Sequence, residues 1–266
     1  MNNHVDQRQL GSCDVMLSAI SLGTVKIGRN QAVKYPGSFD LPDDDAVREL
    51  LACALDHGVN TLDTAPAYGS SEQRLGRLLA RRQDWRIISK AGECYDAASG
   101  SSYYDYRPAQ LKKSLENSLR QLKTDYLDCW LLHSDGNDLA NLNDEVLQTL
   151  LDARQAGYVR SVGASTKTVD GGRHALRHLD CIMMAASLKH RDELVLVELA
   201  EQCHKGLLLK KIYDSGWALT GDNKAAVMRD TLASLFASPA VCSAVIGTSR
   251  PQHLLENINA YCLRHG

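Results

Sequence analysis

The chain has 266 residues, 44% of them hydrophobic and 23% charged, enough apolar material for one large domain with a substantial core. Its 30 Lys and Arg nearly balance 32 Asp and Glu, leaving a formal net charge of −2 and no basic run to hold a nucleic acid or another polyanion. No apolar run approaches the roughly 20 residues that span a bilayer, so no membrane span is expected.

The first residues, MNNHVDQRQL, show no basic start followed by an apolar stretch, so no secretory signal is visible. Eight cysteines are scattered without a CxxC pair, and several sit inside apolar runs, as Cys129 does in YLDCWLLH and Cys242 in AVCSAVIG. Such thiols behave as small buried hydrophobes, so reduced cysteines in a cytoplasmic protein are expected rather than disulfides or a zinc site.

In chain order, residues 7–19 read as a short hairpin turning at Gly11–Asp14, placed to plug the bottom of a barrel. Strands follow at 20–25, 60–65, 86–91, 126–133, 159–165, 181–187, 206–213 and 240–247, each succeeded by a segment with helical spacing. Over 44–58, Val47, Leu50, Leu51, Ala54 and Leu55 make one apolar face, and Gly58 supplies a stop. Over 107–123 the face is Leu111, Leu115, Leu119 and Leu122, with Pro108 near the start. The stretches 28–43 and 93–106 read as loops. Trp85 and Trp130 read as core packing, and Trp217 falls in the loop after the seventh strand.

Alternating strands and helices argue for a parallel sheet. Eight such units in about 250 residues match a (β/α)8 TIM barrel, here with an N-terminal β-hairpin and a single domain over 1–266; a doubly wound open sheet is the alternative. Barrel chemistry collects at the C-terminal ends of strands. There the sequence offers Asp63, Lys90 and His133 at three successive strand ends, with Tyr68 five residues beyond Asp63. A free phenol titrates near pH 10 and is a poor acid at neutral pH. An ammonium at Lys90, held by Asp63, is expected to lower that pKa and make Tyr68 a general acid, with His133 orienting a carbonyl oxygen beside it.

The motifs DTAPAYG, the Lys90 of IISKAG, the His133 of WLLHSD, VGAS in the fifth strand and VIGTSRPQHLLENI near the end together resemble the aldo-keto reductase superfamily. The likeness runs from about Gly23 to Asn257 in the family's order. It implies that Asp63, Tyr68, Lys90 and His133 are the catalytic tetrad of an oxidoreductase reducing aldehydes or ketones to alcohols. It further implies that Gly23, Thr24, Ser165, Thr166, Lys211, Ser215, Thr248, Ser249, Arg250, His253, Glu256 and Asn257 bind the cofactor. The cationic start of the last helix points to NADPH over NADH. The implied partner is a small-molecule carbonyl substrate, taken by a monomer, with no metal, nucleic acid or membrane.

The sequence also departs from the family pattern. Thr166 stands where the family has Asn, and Met183, Ala186 and Ser187 stand where the sixth strand carries Gln and Tyr-Asn. Lys210, Lys211 and Ile212 stand where the seventh strand offers a stacking aromatic. One of the two lysines is expected to face the pocket and the other the helix layer. The chain ends just past the last helix, which implies an open, permissive pocket. Tyr103, Tyr104 and Tyr106 either line a substrate mouth or decorate a loop. Two other functions compete: a metal-dependent barrel hydrolase, which would need more His and carboxylate ligands than one of each, and a nicotinamide-binding regulatory protein with little turnover.

Overall fold

A computed structural model describes residues 4–33, 38–187, 191–214, 219 and 223–264. The chain opens with β1 (Gln7–Gln9), β2 (Met16–Ser18), β3 (Ile20–Gly23), α1 (Val25–Gly28), α2 (Asp44–Asp56), β4 (Thr61–Asp63), α3 (Ser71–Leu78) and β5 (Arg86–Ala91). It continues through β6 (Glu93–Asp96), β7 (Ser101–Tyr104), α4 (Pro108–Leu122), β8 (Cys129–His133), α5 (Asp138–Asn141), α6 (Asp144–Gln155) and β9 (Val162–Ser165). The last part holds α7 (Val169–His178), β10 (Cys181–Ala185), α8 (Leu196–Gln202), β11 (Gly206–Lys210), α9 (Lys224–Leu235), β12 (Val241–Gly247) and α10 (Pro251–Cys262).

Eight parallel strands close into a barrel in the order β3-β4-β5-β8-β9-β10-β11-β12, with β12 pairing back onto β3. The open-sheet alternative is thereby overturned. Side chains alternate across a strand, so inward residues fill the barrel and outward ones meet the helices. Ile88, Cys129, Leu131, Cys181, Met183, Leu208 and Cys242 pack inside with Leu10, Val15 and Leu17 from the β1–β2 hairpin. That hairpin closes the N-terminal end of the barrel: Leu10 and Gly11 lie against Gly206, and Ser18 N–H donates to Thr61 Oγ1 at 2.9 Å. The outer shell joins the helices to the strands and includes the buried Trp85 and Trp130. Every cysteine is a free thiol.

The helices start and stop where their chemistry dictates. Asp43 caps α2 by accepting from Ala46 N–H at 2.8 Å. Pro108 opens α4, where a missing N–H costs nothing. The strands are shorter than their apolar runs: β4 covers only residues 61–63, β8 begins at 129 and β11 ends at 210. Asp63, Lys90 and His133 fall on the last one or two residues of β4, β5 and β8, which places them at one rim.

Part of the expected loop 93–106 is a correction. Residues 93–96 and 101–104 form the antiparallel hairpin β6–β7, pairing Glu93 with Tyr104 and Asp96 with Ser101. Asp96 builds its turn, accepting from Ala98 N–H at 3.0 Å and Ser99 Oγ at 2.7 Å.

Candidate active site

Four strand-end groups meet on one rim. Lys90, 1% exposed, donates from Nζ to Asp63 Oδ1 at 2.5 Å, to Thr64 O at 2.9 Å and to Tyr68 Oη at 3.2 Å. Tyr68 Oη lies 3.4 Å from Asp63 Oδ2, and the His133 ring stands edge-on to the Tyr68 ring with centroids 6.4 Å apart. The local chain explains why Tyr68 points here. Pro66 opens a single 3₁₀ turn, and Gly69 leaves it at φ 63° with its α-carbon against Gly28 O. A Cβ at Gly69 would lie 2.3 Å from that oxygen, so only glycine fits.

The electrostatics correct one expectation. Burial raises the Tyr68 phenol well above its ordinary value, and Asp63 and Glu93 push it the same way. The Lys90 charge is engaged by Asp63, so Tyr68 stays firmly protonated. His133 carries a contact that the sequence reading missed. Its Nδ1 lies 3.0 Å from Glu93 Oε2, close enough for ion pairing although not aligned as a hydrogen bond. Burial opposes the Glu93 carboxylate, but His133, the Ser102 hydroxyl and Arg29 outweigh it and hold the acid down at about 2. Burial lowers the imidazole, with Glu93 working against that. The only hint in the sequence was a carboxylate one glycine past the strand that holds Lys90.

A cavity of about 520 Å³ runs from this rim across the top of the barrel to the start of α10. Asp63, Tyr68, Lys90 and His133 line one end, and Thr248, His253, Glu256 and Asn257 line the other. Among the described residues no hydrogen-bond partner reaches Asn257 Oδ1, a buried acceptor on the cavity lining. Cations crowd the same end: Arg250 lowers the Lys26 ammonium after burial has done so, and burial, Lys224, Arg250 and Lys26 act alike on His253.

Residues 19–207 match the model of the Aldo/keto reductase family. The chain belongs to the aldo/keto reductase family. It is an oxidoreductase, and the family uses nicotinamide cofactors. A solved structure from Pseudomonas aeruginosa, described as an aldo-keto reductase, is 41% identical, with a TM-score of 0.87 and coverage of 100% of this chain and 97% of that one. An uncharacterized oxidoreductase, YqkF of Bacillus subtilis, is 29% identical over 96% of this chain and 90% of its own. A 6-dehydroglucose reductase of Novosphingobium aromaticivorans is 32% identical over 61% of this chain and 52% of its own length.

Within this aldo/keto reductase, the residues expected to hold the cofactor divide. Gly23, Ser165, Lys211, Thr248, His253, Glu256 and Asn257 line the cavity. Thr24 does not: its hydroxyl donates to Asp63 O at 2.9 Å and accepts from Ser71 Oγ at 2.7 Å, which ties two rim segments together. Thr166 is buried with its hydroxyl 3.4 Å from Glu193 Oε1. Ser249 and the exposed Arg250 stand outside the lining, Arg250 as the N-cap of α10. Ser215 and Trp217 lie outside the described residues. Tyr103, Tyr104 and Tyr106 do not line the cavity; Tyr106 Oη donates to His133 O at 3.1 Å and accepts from Asp135 N–H at 2.8 Å, propping the loop after β8.

Lys210, the last residue of β11, and Lys211 just past it also differ from expectation, since both line the cavity. Lys211 takes a left-handed backbone, φ 57°, which turns the chain there. Lys210 reaches across β10 to Ser165 Oγ at 2.7 Å and Thr166 O at 3.1 Å. Lys26, Lys167 and Lys224 complete a strongly cationic lining that sequence reasoning did not assemble.

Proposed function

We propose that this protein is an NADPH-dependent reductase of aldehydes or ketones in which Tyr68 gives the proton. One observation carries the reading: a half-buried phenol 3.2 Å from an ammonium that is itself fixed by a carboxylate, at one end of a cavity whose other end is cationic. The residues fit a dinucleotide. Asn257 offers an unpartnered acceptor to an adenine amine, and the N-terminal turn of α10 favours phosphate. A free carboxylate at that end would suit the ribose hydroxyl of NADH. Glu256 is instead paired with Lys224 at 2.5 Å, which leaves Lys26 and His253 to favour a 2′-phosphate.

When bound, the reduced nicotinamide supplies a hydride to the carbonyl carbon. Tyr68 Oη donates its proton to the carbonyl oxygen as negative charge builds there. Its raised pKa suits this role, because the phenol keeps its proton until an alkoxide, a far stronger base, develops. Lys90 holds the phenol and stabilises the charge left on it, while Asp63 and Thr64 O keep Lys90 in place. His133 orients the carbonyl from the other side.

The test is a fluorescence titration with NADPH and NADH, followed by an aromatic aldehyde and the absorbance of the nucleotide. Tyr68→Phe should cut kcat about 10²- to 10⁴-fold while the NADPH Kd stays within about twofold. A variant with near-normal turnover would remove Tyr68 from the proton-donor role.

A further inference from the structure

Lys210 is a cation in an unusual setting. Its Nζ has three protons to give, and the two acceptors it reaches, Ser165 Oγ and Thr166 O, are neutral. Among the described residues no carboxylate comes within ion-pair distance of it. Glu193, in the turn before α8, is the opposite charge that acts on it, but that acid accepts from Ala185 N–H at 3.1 Å and lies against the Thr166 hydroxyl. The other charges around it share its sign: Lys211 on its own strand's end, Lys90 on β5, Lys167 after β9, with the His133 imidazole on β8 also facing it. Burial and these lysines, against the pull of Glu193, bring its ammonium down to about 7. A second positive charge set beside it would be opposed by this half-buried group of like charges.

The cofactor carries such a charge in one redox state only. The nicotinamide ring is neutral when reduced and a unit cation when oxidised; phosphates, ribose and adenine are identical in both forms. On the proposed function, Ser165 receives the nicotinamide carboxamide, and Lys210 is hydrogen-bonded to that same hydroxyl. Resting on that reading, we propose that Lys210 is a redox-state selector, which makes the site bind the reduced nucleotide well and the oxidised one poorly. The protein then stays loaded with reductant when oxidised nucleotide is in excess, and spent cofactor leaves readily. Carbonyl reduction suffers little inhibition by its own nucleotide product.

A linkage follows. Oxidised nucleotide can enter without repulsion only if Lys210 gives up a proton, so its binding releases protons and strengthens as pH rises through neutrality. Reduced nucleotide carries the same 2′-phosphate past the same His253 and serves as the internal control for every other titrating group. Lys210→Met removes the selector and leaves His133, Glu193 and the neighbouring lysines in place. Lys210→Arg keeps a charge that does not titrate.

The experiment measures Kd for NADPH and for NADP+ by calorimetry at about pH 6 and about pH 8.5, in wild type and both variants. The wild type should bind NADP+ at least about tenfold more weakly than NADPH at the lower pH, about 1.4 kcal/mol, and the gap should narrow several-fold at the higher. Lys210→Met should bring the two constants within about threefold at both pH values. Lys210→Arg should keep the gap and lose its pH dependence, which also covers the case in which the Met variant is poorly folded. Equal constants in wild type at low pH, or a gap unchanged in Lys210→Met, overturns the selector while leaving the reductase reading intact. Absence of binding by either nucleotide in wild type overturns both.

Discussion

Around Tyr68 the decisive charges are not those that the four rim residues announce. Lys90 is expected from the sequence to draw the phenol toward ionisation, yet its Nζ is bonded to Asp63 Oδ1, and burial, reinforced by Asp63 and Glu93, keeps the proton on. Glu93 matters a second time through His133. A carboxylate 3.0 Å from Nδ1 favours the imidazolium and sets which ring nitrogen carries hydrogen toward it, so Nε2 is the atom left for a substrate. Removing that charge leaves burial, and the repulsion of Lys90 and Lys210, unopposed. Glu93→Gln should therefore move the His133 titration midpoint to lower pH, read from its imidazole resonances by NMR, while Tyr68→Phe should barely shift it. A midpoint that stays or rises in Glu93→Gln would mean that the contact is incidental.

At the scale of elements, helices with one apolar face were legible almost to the residue, as α2 and α4 show, because a 3.6-residue period needs ten or more positions and is hard to mimic. The β6–β7 hairpin was not, since Glu93–Asp96 is half-buried and Ser101–Tyr104 mostly exposed, and neither run alternates apolar with polar residues. Contacts that fasten elements together were equally hidden. Glu72 on α3 accepts from Ser89 Oγ of β5 at 2.5 Å and Ser118 Oγ of α4 at 3.1 Å, a buried acid joining three elements. Burial raises it from 4.5 to about 7, against the two hydroxyls and Lys90. Its contribution to stability is complete below about pH 4.5 and is lost as pH rises through about 7, because the folded protein must then ionise it in a dry place. Glu72→Gln keeps the shape without that charge. In urea denaturation it should match wild type near pH 4 and exceed it by up to about 3 kcal/mol near pH 8. Wild-type stability that is level across that range would show that Glu72 does not titrate there.

Across the whole molecule, the barrel was legible because each unit repeats the same pattern, and the rim acids and bases were legible because they sit at strand ends. The common cationic field of the cavity was not, since Lys26, Lys167, Lys210 and Lys224 lie in four separate segments and come together only when the ring closes. Closure also separates labour by depth. The chemistry sits past the C-terminal ends of the strands, while the β1–β2 hairpin seals the opposite end with Leu10, Val15 and Leu17 inside the barrel. The plug lies at the end of the barrel away from Tyr68, so packing there should set stability alone. Leu17, fully buried, leaves a void when shortened, and Leu17→Ala should cost about 2–5 kcal/mol in urea denaturation. Below its unfolding transition the variant should retain wild-type kcat and NADPH affinity, because strands pinned by eight mutual ladders transmit little of a lost methyl cluster to their far ends. If a fully folded Leu17→Ala protein lost much of its turnover, the two ends of the barrel would be coupled, and the rim geometry would depend on how the plug spaces the strands beneath it.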